Sequence, residues 1–248
     1  MDFKEAKEAL IRFCSFPLHT AQGVMQEFAS LPNAIAHFDG DMHNFVYIPG
    51  KRADRVVLVA HADTVWDSFG EDTPVPQSLC ERDGVLFGEN PEVGIGADDR
   101  AGCAMLWLLR ESGHSLLIVD GEEQGQIGSC HIRDAYPEIY DELNGHAYML
   151  QLDRRKSRNY KVYRLPVSRE FIDFVEGATG YENAGTASRT DIITLCRDIC
   201  GVNLGIGYHN EHSAEECVLI DEWYSALTTV EGILTAPQRK YPMVRGEG

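Results

Sequence analysis

The sequence predicts an α/β fold, a three-layer sandwich whose mostly parallel central sheet is flanked by helices. Two observations carry this expectation. The run VVLVA (56–60) is short and continuously apolar, the pattern of a strand buried on both faces, and SLLIV (115–119) and AYMLQL (147–152) read as second and third strands. Segments with apolar residues at helical spacing lie between and around such runs, which is the order of an α/β chain.

The elements follow in chain order. Positions 2–14 form a helix with Phe3, Ala6, Leu10 and Phe13 on one face, and 20–31 repeats the pattern up to Pro32. Strand-like pieces at 33–38 and 44–48 are separated by DGDMHN, which reads as a turn because it lacks the length and closing Glu of an EF-hand. Residues 79–88 form a hairpin around Asp83-Gly84, and a helix is expected over 100–110. YKVYRL (160–165) is a fourth strand, helical patterns return at 167–177 and 189–200, and VNLGI (202–206) is strand again. An amphipathic helix over about 218–235 carries Ile220, Trp223, Leu227, Val230 and Leu234 and ends before Pro237. No repeat, low-complexity tract or long linker divides the 248 residues, so a single domain spanning 1–248 is expected.

Composition narrows the function classes. Hydrophobic residues make up 44% and charged residues 25%, ordinary globular usage. A formal charge of −17 argues against nucleic acid or an anionic membrane as partner, since both need fields of Lys and Arg. The start MDFKEAKEAL is not a signal peptide, and no stretch approaches the roughly 20 apolar residues of a membrane span. Seven cysteines, an odd number without zinc-finger spacing, read as reduced, mostly buried thiols of a cytoplasmic protein.

In open α/β sheets, ligands bind beyond the carboxyl ends of the strands. VVLVA is followed by His61-Ala62-Asp63, SLLIVD by Gly121-Glu122-Glu123, AYMLQL by Asp153, and VNLGIG by Tyr208-His209-Asn210-Glu211-His212. The loop VGIGADDRAG places Asp98-Asp99 at the start of the 100–110 helix. Each alone is unremarkable, because acids and histidines often decorate loops and Asp is a favoured helix N-cap. Together they put borderline-hard metal ligands at all five mouths. His19, His37, His43, His114, His131 and His146 fall outside these motifs and read as surface or structural residues.

In their order, HAD, GADDRAG, DGEEQGQIGS, QLD and NEHSAEE resemble the co-catalytic di-zinc peptidase clan, which includes leucyl aminopeptidases and peptidase T-like tripeptidases. The likeness runs from about position 55 to 216. It implies two Zn2+ ions, replaceable by Co2+ or Mn2+, held by His61, Asp98, Glu123, Asp153 and His212. Asp98 would bridge them, with the peptide bond after it often cis in the family. His209 is the competitor of His212 for the last place, and Asp63 would hold the imidazole of His61 from behind. Glu122 would be the general base for a hydroxide bridging the metals, cleaving an amide as an aminopeptidase or di/tripeptidase.

Alternatives are a deacylase of N-acyl amino acids and a non-catalytic binding module on the same fold. The partner is then a small peptide, aminoacyl or acyl-amino-acid substrate, with oligomeric state open. Arg154 and Arg155 either bind a substrate carboxylate or balance an acidic rim, and Tyr208, Arg189 and Asp191 sit in substrate-side segments without a defined role. The interval from Asp153 to His212 is too short for the lid domain of peptidase T-like relatives, so a compact, lidless form is expected.

Overall fold

A computed structural model describes residues 1–69 and 77–244. Helix α1 (Phe3–Cys14) starts where the Asp2 carboxylate accepts from the backbone N–H of Lys4 and Glu5, and it buries Ala6, Leu10, Phe13 and Cys14. Helix α2 (Gln22–Ala29) follows, then strands β1 (Ile35–His37), β2 (Phe45–Ile48) and β3 (Val57–His61). A short 3-10 helix (Val65–Phe69) comes before the hairpin β4 (Leu79–Arg82) and β5 (Val85–Gly88), which turns at Asp83-Gly84 as expected. Helix α3 spans Ala97–Leu108 and β6 Ser115–Val119.

The central region continues with α4 (Ile127–Ala135), α5 (Pro137–Asn144), β7 (Met149–Arg154) and β8 (Ser157–Lys161). Helix α6 (Arg169–Thr179), β9 (Glu182–Asn183), α7 (Asp191–Leu195) and β10 (Gly201–Ile206) lead to β11 (Tyr208–His209), β12 (Cys217–Leu219) and the final helix α8 (Ile220–Thr235).

The main sheet has the order β1-β2-β6-β3-β7-β10-β8-β9. Its centre, β6-β3-β7-β10, is parallel throughout, while β1, β2 and β8 join antiparallel. Strands β3 and β6 are buried at every position, as their unbroken apolar runs require. Side chains alternate between two cores. Leu58, Ala60, Leu116, Ile118, Leu150 and Leu204 face a cluster with α1, α2, α3, α6 and α8, whereas Val57, Val59, Leu117, Val119 and Met149 face α4, α5 and α7. This is the three-layer sandwich with a parallel centre.

Several expected elements moved. The strand expected at 160–165 is β8, ending at Lys161, because Tyr163 takes φ 55° and turns its hydroxyl to Asn203. The helix expected at 189–200 is the single turn α7, since Cys196 is already extended. Helices α4 and α5 are additional to the expected elements. A second sheet, β11-β12-β5-β4, pairs Cys217–Leu219 with the hairpin and buttresses the segment carrying His212. All seven cysteines are free thiols, and Cys14, Cys103, Cys196 and Cys200 are buried. Among the described residues, no helix is long and apolar enough to cross a membrane.

Candidate metal centre

The parallel strands end together, and their side chains converge just beyond. His61 is the last residue of β3, fully buried, with Nδ1 3.2 Å from Asp63 Oδ1. That contact leaves Nε2 facing inward, 3.2 Å from Asp98 Oδ1 and 3.4 Å from Asp153 Oδ1. On the other side His212 Nε2 lies 2.7 Å from Glu123 Oε1 and 3.3 Å from Asp98 Oδ2. Asp98 thus presents one oxygen to each donor pair. His209, the competitor, pairs with Glu222 at 3.0 Å and takes no part in the cluster. His212 itself adopts φ 61°, as does its neighbour Asn210 at φ 57°, so the loop turns sharply where it presents the ring.

Several of the donors are held from behind. Asp63 uses both oxygens, accepting the backbone N–H of Glu122 at 3.1 Å and of Glu123 at 3.0 Å, so one carboxylate orients both His61 and the acidic turn. Asp153 Oδ2 accepts from Gln151 Nε2 (2.9 Å), Thr190 Oγ1 (2.8 Å) and Asn203 Nδ2 (3.3 Å), and its Oδ1, which faces the cluster, accepts from Tyr208 Oη at 3.4 Å. Asp98 opens α3 with non-helical backbone, and its peptide bond to Asp99 is cis. Asp99 turns inward, accepting from His61 N at 3.2 Å and Gly102 N at 3.0 Å.

Glu216 clamps this loop. Its Oε2 accepts from the N–H of Ile95 (2.9 Å) and Gly96 (2.7 Å), and its Oε1 from that of Asp98 (3.0 Å). No local motif marks Thr190 or Asn203, whereas Gln151 stands in QLD and Glu216 is the last acid of NEHSAEE. Buried Gln and Asn inside otherwise apolar strands were the available signal, because such groups must find partners.

The electrostatics are those of a site short of positive charge. Burial raises Glu122 well above the ordinary glutamate range, with Asp191, Asp153 and Asp98 adding to it. Burial, then Asp98, pushes Asp153 up to about 7, while hydrogen bonds to Asp98 and Glu123 hold His212 up to about 11. Two imidazoles thus stand among Asp63, Asp98, Asp99, Glu122, Glu123 and Asp153. Imidazole nitrogens and carboxylate oxygens within 4.8 Å of one another, as in His61–Asp98–Glu123 and His61–Asp99–Asp153, are a donor set that fits Zn2+.

Beside the donors opens a cavity of about 280 Å³, lined by Glu122, Tyr208 and His212 and walled by Arg154, Lys161 and Arg189. Lys161 is 7% exposed and donates to Ala187 O (2.6 Å) and Ser188 Oγ (3.1 Å), with no carboxylate partner among the described residues. Arg154 is held through Nε by Asn159, whereas Arg155 pairs with Glu211. Asp191 lies buried behind the wall, bonded to Ser129 Oγ at 2.7 Å. A larger cavity of about 610 Å³, lined in part by His19, Asp67 and Asp120, contains none of the converging donors.

No family model matches the chain, and no curated protein is similar to it in sequence. Solved structures are similar in fold. The aminopeptidase PepT of Bacillus cereus ATCC 10987 superposes with a TM-score of 0.67 at 12% identity, covering 94% of this chain and 98% of the other. A tripeptidase of Staphylococcus aureus gives 0.64 at 13% identity, covering 94% and 98%. An aminopeptidase of the archaeon Desulfurococcus kamchatkensis gives 0.63 at 11% identity, covering 94% and 95%. At such identities the likeness is one of fold, and the chain has the fold of these peptidases, as its five motifs led us to expect.

Proposed function

We propose that the chain is a metal-dependent peptidase that hydrolyses an amide bond beside a free N-terminus, as an aminopeptidase or di/tripeptidase. The observation that supports this most is the division of Asp98, one oxygen towards His61 and Asp153, the other towards Glu123 and His212. Two donor sets sharing a carboxylate suit a pair of divalent ions, with Zn2+ matching the mixed imidazole and carboxylate chemistry. Bound there, the ions would acidify water and polarise the substrate carbonyl.

The protein's own groups do the rest. Glu122, which lines the cavity, accepts a proton as water oxygen bonds to the carbonyl carbon, then passes it to the nitrogen as the C–N bond breaks. Asp63 is a positioning residue for His61 and for the turn that carries Glu122. Lys161, Arg154 and Arg189 form a cationic wall in a chain of net charge −17, which favours a short substrate whose carboxylate reaches that wall.

The test is Glu122→Gln, assayed on aminoacyl amides, short peptides and N-acyl amino acids with metal content measured alongside. Turnover should fall by about 10²–10⁴-fold with bound metal and thermal stability retained. A variant that turns over as fast as the wild type removes Glu122 from the mechanism. Preferred cleavage of N-acyl amino acids by the wild type would replace the peptidase reading with the deacylase one.

A further inference from the structure

Three histidines that the catalytic site does not use meet on the edge of the main sheet. His37 ends β1, His43 lies in the turn between β1 and β2, and His131 lies on α4. The His37 and His131 ring centroids are 5.0 Å apart, and those of His43 and His131 are 4.8 Å apart. Between them stands Asp39, whose Oδ2 is 2.9 Å from His43 Nδ1 and 3.7 Å from His37 Nε2. The ligand atoms of His37, Asp39 and His131 lie within 4.8 Å of one another, and so do those of Asp39, Asp41 and His43.

The arrangement is built from behind. Tyr136 Oη bonds His37 Nδ1 at 2.8 Å, which fixes the ring and turns Nε2 inward. That Nε2 is buried and has no hydrogen-bond partner among the described residues, which is uncommon for a buried polar atom. Asp39 is fixed in turn, its N–H donating to Asn44 Oδ1 at 3.1 Å and its Oδ1 accepting from Asp41 N at 2.9 Å. Surface histidines with no shared purpose do not need a tyrosine brace or an orphaned inward nitrogen.

We propose that His37, His131, Asp39 and His43 form a separate binding site for one divalent transition ion of the Zn2+ class. The donor chemistry selects the ion. Imidazole nitrogens with a single carboxylate suit Zn2+, Ni2+ or Cu2+, whereas Ca2+ and Mg2+ require shells of oxygen. Donors around a tetrahedral ion at about 2.0–2.1 Å stand a little over 3 Å apart; His37, Asp39 and His131 already cluster, and His43, whose ring now groups with Asp39 and Asp41, would swing in from its half-buried position as the fourth donor. Burial, then the neighbouring His43 and His37, holds His131 below the ordinary histidine range.

None of these four residues lines the catalytic cavity, but their turn touches the catalytic turn. Asn44 Nδ2 donates to Asp120 Oδ2 at 2.7 Å, and a Cβ on Gly121 would meet Met42 Cβ at 2.9 Å. An ion held by His43 and Asp39 would therefore brace the segment on which Gly121, Glu122 and Glu123 rest.

The experiment titrates metal-depleted protein with Zn2+ against a chromophoric chelator. It compares the wild type with His131→Ala, with His43→Ala at its half-buried position, and with Asp98→Ala in the catalytic centre. Each histidine variant should lack one equivalent held by the wild type, or bind it at least about tenfold more weakly. Asp98→Ala should retain that equivalent, and with Cu2+ its electron paramagnetic resonance should show coupling to imidazole nitrogens that disappears when His131→Ala is added. Histidine variants that bind as many ions, as tightly, as the wild type would overturn the proposal. So would an Asp98→Ala protein that binds none. Neither outcome depends on whether the chain hydrolyses peptides.

Discussion

Glu216 offers the sharpest test of how the centre is held. Its carboxylate is 2% exposed and accepts three backbone N–H groups, from Ile95, Gly96 and Asp98, at 2.9, 2.7 and 3.0 Å. Glu216→Gln keeps one acceptor oxygen and replaces the other with an amide NH2, which faces at least one of those donors. Burial pushes the Glu216 pKa up to about 8 against the opposing pull of those backbone bonds, so the comparison is made at about pH 9, where the acceptor is charged. A hydrogen bond to it is then worth about 1.5–3 kcal/mol, and a buried donor left unpaired costs about 1–3 kcal/mol. Losing one to two bonds and stranding their donors should destabilise the metal-free protein by about 2–5 kcal/mol, partial relaxation included. The same loop carries Asp98, so Zn2+ affinity should weaken by about 10–100-fold, as for groups that orient ligands without binding metal. Urea unfolding of metal-depleted protein and chelator competition measure the two effects. A variant within about 0.5 kcal/mol of wild type that binds Zn2+ equally well would refute the clamp.

Three further outcomes follow from particular contacts. A Cβ at Gly102 would lie 2.0 Å from Leu152 O and 2.3 Å from Asp99 Oδ1, so Gly102→Ala must push α3 off β7; we expect a loss of about 3 kcal/mol or more, and an unchanged melting temperature would contradict it. Lys161→Met removes the buried cation but keeps its stem, so KM for a free tripeptide should rise about tenfold with kcat little changed, while the C-terminal amide of that peptide shows no such rise; an equal rise on both would exclude carboxylate recognition. His146 is 4% exposed, donates through Nδ1 to Glu142 O (2.8 Å) and accepts through Nε2 from Arg55 Nε (3.0 Å), so burial pushes its pKa down to about 4. Because the folded pKa lies below the unfolded value of about 6.5, the unfolded chain takes the proton first; this contribution is intact above about pH 6.5 and falls by about 3 kcal/mol as pH drops towards 4. His146→Gln should flatten that part of the pH dependence, and denaturation at pH 7, 5.5 and 4.5 would reveal parallel profiles if the assignment were wrong.

How much was legible depended on whether the signal was local. Strands β3 and β6 could be read because burial on both faces leaves an unbroken apolar run, and the hairpin because Asp83-Gly84 turns it. Helix α4 could not: its sequence IGSCHIRDA offers little apolar periodicity, and Ile132 does most of its apolar packing. The second sheet was invisible because Cys217–Leu219 pairs with a hairpin distant in the chain, and three residues carry no period. At the site, His61, Asp98, Glu123, Asp153 and His212 stood out because strand-end motifs mark them, and the structure brings all five together. Their supports, Thr190, Asn203 and Glu216, are ordinary polar residues whose roles appear only when separate elements close on one another. The same is true of His37, His43 and His131, read individually as surface or structural residues and brought into contact by β1, a turn and α4.

The central claim is that one carboxylate, Asp98, serves two ions at once. Anomalous diffraction from Zn2+-loaded crystals tests it directly. The account predicts two peaks about 3.5–4 Å apart, one beside His61 and Asp153, the other beside Glu123 and His212, with Asp98 between them. A single peak at the strand ends, or a pair in which His209 replaces His212, would contradict it.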